Sequence, residues 1–411
     1  MNKTKWLLLA LLAAPAGALA FETVDTIRWP RDFPAYEDTG VRASPTEVFA
    51  HAGMMRDDNI LRAETGGIGD TVTRLGAGIR HTARVVGRQS VRLEARADSY
   101  IYDRFGDIDH VAYGLLGEWL WEVGNQLSGT AGVTRTRRNI DISEAQRAVR
   151  DMITDTRYYA TAGYLISPSF RVRGGVEHTR GERASRADAE LRRSGVLVGA
   201  EYVSPLGNIL GVEARRAQGD APVPEFVAPA GTFVDNDSRE TEVALVGTYN
   251  IGTTLRTSGR IGRTKRDYSQ IPGRDFDGTT GRATVDWLPG SKTLLSFSAY
   301  KEPRSILDVA ASHIVVRGVT FGASWATTAK LVLSARFARE ERDFEGDPTL
   351  ALVAGTPLRT ETVKVWRFAV GWEPVRHWEI GFGLDKGNRE SNIAGRDYDY
   401  TAVMANAAYR F

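Results

Sequence analysis

The 411-residue chain contains no cysteine, carries almost no net charge, and after its first twenty residues has no long apolar run. Without cysteine there is no disulfide framework, thiolate metal site, cysteine nucleophile or acylated-cysteine anchor. Nothing beyond residue 20 approaches the roughly 18 consecutive apolar residues that a membrane-spanning helix needs. The balance of 53 Lys+Arg against 51 Asp+Glu includes two lysines and no acid within residues 1–20. The rest of the chain is therefore formally neutral, which argues against a nucleic-acid binder, whose phosphate contacts need a basic surplus. Catalytic patterns are missing as well. The six histidines (His51, His81, His110, His178, His313, His377) show neither His-Glu-x-x-His nor any other paired metal spacing. There is no Gly-x-Ser-x-Gly elbow and no Gly-x-x-x-x-Gly-Lys phosphate loop. The sequence thus points to no catalytic residue, no metal and no cofactor, and not to an enzyme.

What is present has a clear order. Lys3 and Lys5, the apolar run Trp6 to Ala14 and the small-x-small Ala18-Leu19-Ala20 read as a signal peptide cleaved before Phe21. Residues 21–45, with Pro30, Pro34 and Pro45, read as a periplasmic N-terminal segment, and 46–411 as one β-domain. Glycine is abundant at 42, beside 9 Trp, 14 Tyr and 15 Phe. A secreted chain of modest hydrophobicity, rich in glycine and aromatics, suits a transmembrane β-barrel, whose strands need only every second residue apolar.

A period of two runs through most of the chain. Val91, Leu93, Ala95, Ala97 and Ile101 alternate with Arg92, Glu94, Arg96 and Asp98; Trp378, Ile380, Phe382 and Leu384 alternate with Glu379, Gly381, Gly383 and Asp385. A soluble sandwich alternates too, but the connections here also alternate in length. Short turns at 86–88, 124–125, 167–168, 205–207, 250–252, 289–291, 327–328 and 374–375 are separated by longer polar stretches near 56–69, 140–155, 184–192, 219–239, 269–278, 345–361 and 390–397. Short periplasmic turns and longer extracellular loops are the outer-membrane pattern. Trp119, Trp121, Trp287, Trp325, Trp372 and Trp378 lie beside the short turns, as a membrane-interface girdle requires. The last stretch puts Val403, Ala405, Ala407, Tyr409 and Phe411 on one face, and its closing Phe411 resembles the signal read by the bacterial barrel-assembly machinery. The expected fold is an all-β antiparallel barrel of about eighteen strands, sixteen being the nearest alternative, in the outer membrane of a Gram-negative cell. Such a barrel encloses a water-filled lumen.

Alternation then nominates Arg92, Glu94, Arg96, Asp98, Arg171, Arg173, Arg215, Arg256, Arg260, Arg282, Arg336 and Arg367 as lumen-lining residues. Singly, each reads as a partner in a solvated cross-strand pair; together they form a hydrophilic wall rich in fixed guanidinium donors. Two loops are candidates for an inward constriction. One is a helix-like stretch from the N-cap Ser143 to Asp155. The other is the 219–239 segment with its Asp235-Asn236-Asp237 cluster, which lacks the full pattern of a calcium loop.

Several stretches resemble the EpsL-type outer-membrane proteins of exopolysaccharide operons, exosortase-associated members of the β-barrel porin superfamily. They are Arg56-Asp57-Asp58-Asn59-Ile60-Leu61-Arg62, Tyr102-Asp103-Arg104-Phe105 with Asp109, Trp119-Leu120-Trp121, and Gly124-Asn125-Gln126-Leu127-Ser128-Gly129. The resemblance is clearest over residues 54–139, together with the terminal Tyr409-Arg410-Phe411. It implies a part in extracellular polysaccharide biosynthesis, as a passive exit for the polymer. The partners then expected are outer-membrane lipid, the polysaccharide, the barrel-assembly machinery and periplasmic export components. A general small-solute porin and a surface interaction barrel without transport are the alternatives.

Overall fold

A computed structural model describes residues 46–185, 190–227, 232–270, 274–304, 313–345 and 358–411. Residues 1–20, expected to be a signal peptide, residues 21–45, and parts of several loops lie outside the described residues. The strands of the first half are β1 (Thr46–Asp57), β2 (Asp70–Arg84), β3 (Ser90–Tyr102), β4 (His110–Val123), β5 (Leu127–Asn139), β6 (Met152–Ser167), β7 (Phe170–Arg183), β8 (Leu191–Val203), β9 (Ile209–Asp220) and β10 (Glu225–Val227). They are followed by β11 (Thr232–Val234), β12 (Ser238–Ile251), β13 (Leu255–Tyr268), β14 (Phe276–Gly290), β15 (Thr293–Arg304), β16 (His313–Ala326), β17 (Leu331–Glu345), β18 (Thr360–Trp372), β19 (Trp378–Ser391) and β20 (Tyr398–Arg410).

Eighteen of these form one sheet in which each strand pairs antiparallel with its neighbours, while β10 and β11 make a small hairpin in the β9–β12 connection. The sheet closes on itself. β1 pairs with β20 from Phe49↔Arg410 to Asp57↔Ala402, and the Phe411 N–H donates to the Val48 carbonyl over 2.8 Å. Antiparallel closure between first and last strands requires an even number, and it removes every sheet edge.

The turns at one end are two to five residues long. Four of them use glycine where the chain must enter the left-handed region, among them Gly124 at φ 61° and Gly252 at φ 59°. The outward face is apolar around the circumference: Leu93, Leu115, Val176, Val196, Leu245, Ile261, Phe321 and Phe382 are all exposed. Such a belt is stable only against lipid, where closed strand pairing also satisfies every backbone group. Among the described residues no helix is long and apolar enough to cross a membrane; the strands cross it. The chain is an 18-stranded transmembrane antiparallel β-barrel with short periplasmic turns and longer extracellular loops.

Two local expectations fail. The helix expected from Ser143 to Asp155 is a single turn, Ile142–Ala145, whose N-cap is Asp141, accepting the Ser143 N–H over 2.9 Å. Gln146 ends it in the left-handed region at φ 48°. The loop is then drawn back as Asp151 N–H donates to Asn139 Oδ1 (2.7 Å) and Ile140 N–H to the Asp151 carbonyl (2.9 Å), so the chain re-enters a strand at Met152. A connection not foreseen, 103–109, separates β3 from β4 and holds a 3-10 turn at Gly106–Ile108.

Candidate functional site

The register places Arg92, Glu94, Arg96, Asp98, Arg171, Arg173, Arg215, Arg256, Arg260, Arg282, Arg336 and Arg367 on the inner face. That face divides into two sectors of different character.

In the sector from β6 to β15, arginines and glutamates from successive strands hold one another in a chain. Arg171 and Arg173 reach Glu201 at 2.5 and 3.0 Å; Arg173 also meets Glu213 at 3.2 Å. Arg260 lies 3.6 Å from Glu213 and 2.6 Å from Glu242, and Glu240 gathers Arg193 and Arg266, each at 2.5 Å. Tyr159 donates its hydroxyl proton to Glu118 over 2.6 Å. This wall borders a cavity of 310 Å³, with Arg173, Arg215, Arg260 and Arg282 among its lining residues. Arg256 stands nearer the turns, opposite Asp286. The chemistry on offer is a bank of guanidinium donors beside carboxylate acceptors, without a net sign strong enough to select one charge.

From β16 through β20 to β3 many inner pairs are buried, although Arg92 and Arg96 on β3 stay exposed, Arg92 lying 3.7 Å from Glu94. Arg367 meets Asp385 at 2.9 Å with both side chains at most 3% exposed. Glu340 takes Arg304 (2.9 Å), Arg342 (3.1 Å) and the Tyr300 hydroxyl (2.6 Å). On β1–β3, Asp98 holds Arg74 at 2.9 Å and His51 at 2.6 Å. Arg336 stands cross-strand from Arg367.

At the extracellular end of this sector the β1–β2 loop folds inward. Ile60 is buried with Met55, Val72, Tyr398, Tyr400 and Met404, and Leu61, Tyr100, Tyr102 and Phe105 pack against them. Arg62, in the left-handed region at φ 56°, sends two N–H groups to the two Asp57 oxygens at 3.0 and 2.9 Å. Its guanidinium lies 3.7 Å from the Tyr400 ring centroid. Burial alone would weaken its hold on the proton, but the Asp57 carboxylate more than reverses this. Asn59 donates to Ala63 and Asp399 carbonyls at 2.8 and 2.9 Å, and Thr401 N–H donates to Asp58 Oδ1 at 2.7 Å. Across the mouth, Gln146 donates to the Arg62 carbonyl (2.8 Å) and the Gly395 carbonyl (3.2 Å), while Gly395 N–H donates to Glu64 (2.9 Å). Three extracellular loops are thus knotted where the barrel closes.

The β1–β2 loop is not among the two constriction candidates drawn from the sequence, but one of those candidates, the stretch after Ser143, joins it through Gln146. The 219–239 segment instead bears the β10–β11 hairpin, of which 228–231 lie outside the described residues. Its Asp237 accepts the Ala221 N–H at 3.1 Å, and Asp235 is engaged by Gln270 at 2.9 Å, contacts that brace the hairpin base. Also missed were Arg193, Glu240, Glu242, Arg266, Glu340 and Arg342. Their signal was readable: like the residues identified, they recur at steps of two along their strands.

Trp119, Trp121, Trp287, Trp325, Trp372 and Trp378 project outward at the turn end. Trp119 lies 6.2 Å from Trp121, and Tyr409 packs edge-on against both Trp378 (5.2 Å) and Phe411 (4.8 Å).

The family described as "Putative beta-barrel porin 2" matches residues 231–411, under half of the chain. That match does not overlap the 54–139 stretch carrying the EpsL-type resemblance. No curated protein matches significantly. Among solved structures, OccK2 (OpdF) of Pseudomonas aeruginosa aligns over 89% of this chain and 97% of its own at 10% identity, TM-score 0.50. OpdK of the same organism, crystallised with vanillate, aligns over 89% and 99% at 10% identity and TM-score 0.48. The alcaligin outer-membrane receptor FauA of Bordetella pertussis aligns over 88% and 76% at 13% identity and TM-score 0.43. At 10% identity the likeness to OccK2 is one of fold, an antiparallel barrel spanning the outer membrane.

Proposed function

We propose that the protein is an outer-membrane channel through which an extracellular polysaccharide leaves the periplasm, with the β6–β15 wall as its track and the β1–β2 loop as its cover. The observation that carries the reading is the pairing of Arg173, Glu213, Arg260 and Glu242 along the cavity. Paired guanidinium and carboxylate groups offer dense hydrogen bonding to sugar hydroxyls while leaving no strong field to trap a passing chain. The EpsL-type resemblance supplies the cargo class. Under this reading residues 1–20 are removed near Ala20, the barrel-assembly machinery inserts the mature chain, and residues 21–45 meet periplasmic export components. Nothing in the chain binds a nucleotide phosphate by a recognisable loop, so the drive comes from polymer synthesis.

Deleting the gene and assaying cell-surface polysaccharide tests the reading directly. Export predicts loss of surface polymer with polymer retained in the periplasm. Unchanged surface polymer, with impaired uptake of small sugars into proteoliposomes lacking the protein, would move the assignment to a small-solute porin, a reading favoured by the family match over residues 231–411.

A further inference from the structure

The lipid-facing wall near the extracellular rim carries many cations, and several have an acid beside them. Arg180 pairs with Glu182 (2.6 Å), Arg192 with Glu190 (2.8 Å), Arg263 with Asp277 (2.8 Å), Arg317 with Asp343 (3.1 Å), Arg339 with Glu341 (2.8 Å) and Lys364 with Glu390 (3.0 Å). Among the described residues Arg216 on β9 and Arg239 on β12, like Arg137 and Lys386, lack an acid partner, and Arg216 and Arg239 line a groove together. Both are exposed. The register sets Arg239 opposite Gln218 and Arg216 opposite Thr241, so the two residues stand on a diagonal across adjacent strands, their backbones about 7–8 Å apart at that spacing.

They stand at the mouth of a groove in the outer surface. Its 680 Å³ is lined on the lipid side by Ala131, Tyr158, Ala160, Val176 and Val196, with His178 bonded to Ser194 over 2.9 Å at its edge. The groove exists because the cross-strand row Ala131↔Ala160↔Val176↔Val196↔Arg216 begins with two methyl-sized side chains and ends on a cation. An unpaired arginine facing lipid is costly unless an anion meets it there.

We infer that Arg216, Arg239 and this groove bind a phosphorylated, multiply acylated glycolipid of the outer leaflet, the lipid A type, with a phosphate on the two arginines and an acyl chain along the alanines and valines. The site rests on the outer-membrane reading but not on the cargo. Its occupant follows from charge and shape together: a free anion has no use for the apolar groove, and a neutral lipid has none for the arginines.

The test uses full-length protein purified in detergent and titrated with bisphosphorylated hexa-acyl lipid A, bound lipid being counted by native mass spectrometry. Arg216→Ala or Arg239→Ala is expected to weaken binding about fivefold each and the pair roughly 25-fold. Arg263→Ala, whose arginine already has Asp277, should leave binding within about twofold. Val176→Trp, which fills the groove, should weaken lipid A but leave binding of inorganic phosphate unmoved. Heat-modifiable gel migration checks that each variant keeps the barrel. Equal binding of dephosphorylated lipid A, equal displacement by inorganic phosphate alone, or an unaffected double variant would each overturn the site. Fractionation separates the two levels: with the protein in the outer membrane such a result removes the site alone, whereas recovery elsewhere in the cell removes the membrane reading as well.

Discussion

The two sectors of the inner wall are written in the same arginine–carboxylate alphabet and have different physical consequences. Arg367 and Asp385 on β18 and β19 are almost wholly buried, whereas Arg282 on β14 keeps 42% of its side chain exposed while holding Glu302 at 2.9 Å. A pair removed from water needs its partner to repay desolvation, and a pair left in water hardly needs it at all. The deeply buried pairs are therefore structural, while exposed ones such as Arg282–Glu302 can meet solute; the division runs pair by pair, since Glu201 and Glu213 of the β6–β15 wall are themselves buried. The difference comes from where the lid docks and how the strands pack, not from the kind of residue.

The largest break in this contrast should come from Arg367→Ala. It strands Asp385 and is expected to cost about 3–5 kcal/mol in urea unfolding followed by heat-modifiable migration, against about 0–1 kcal/mol for Arg282→Ala. Equal losses would mean that the two sectors are not distinct. Next in size, Arg62→Ala removes the paired bonds to Asp57. Charged hydrogen bonds of this kind are worth roughly 2 kcal/mol, so the released loop should gain about thirtyfold in population. Hydrogen exchange over residues 58–69 should rise accordingly, and so should open time in planar-bilayer recordings; an unchanged recording would show that the loop does not limit passage. A smaller effect is expected from Glu213→Gln. It frees Arg173 and Arg260 from a shared buried carboxylate and should shift permeability toward anions about two- to fivefold, at a stability cost of about 1–2 kcal/mol.

The smallest effect concerns pH, and it sharpens the lid alone. Asp151, at the base of the β5–β6 loop, is buried, which opposes ionisation, yet bonds from Ser185 and Arg183 hold its carboxyl below the usual range. A lowered folded-state value means the contribution is fully present above the unfolded value of about 3.9 and is lost as pH falls through the folded one. Protection of residues 140–151, taken relative to the intrinsic exchange rate at each pH, should stay flat from pH 7 to about 5 and fall only under stronger acid; a loss of protection near neutrality would contradict this.

The barrel itself was legible in the sequence because the strand period is two and lipid rewards one face. Val403, Ala405, Ala407 and Tyr409 point outward by the same alternation that set them apart on paper. The lid was not legible, because its contacts are made by residues far apart in the chain. Asn59 bonds to Asp399 across 340 positions, and Ile60 is buried beside Tyr398 and Tyr400. No local pattern in 56–62 says that the loop turns inward. The Ser143 stretch misled for a related reason: apolar residues at helical spacing were answering to the barrel mouth and to the pinch between Asn139 and Asp151. Lipid exposure is periodic, whereas occlusion of the lumen depends on which strands meet when the ring closes.

That dependence bears on assembly. The anchors of the β1–β2 loop on β20 and its preceding loop, namely Asp399, Tyr400 and Thr401, become neighbours of β1 only once the last strand has docked on the first. A half-built barrel therefore cannot carry its own cover, and the cover cannot seat on a wrongly joined ring. The loop needs no separate signal to dock, because completion of the wall is what brings its anchors beside it.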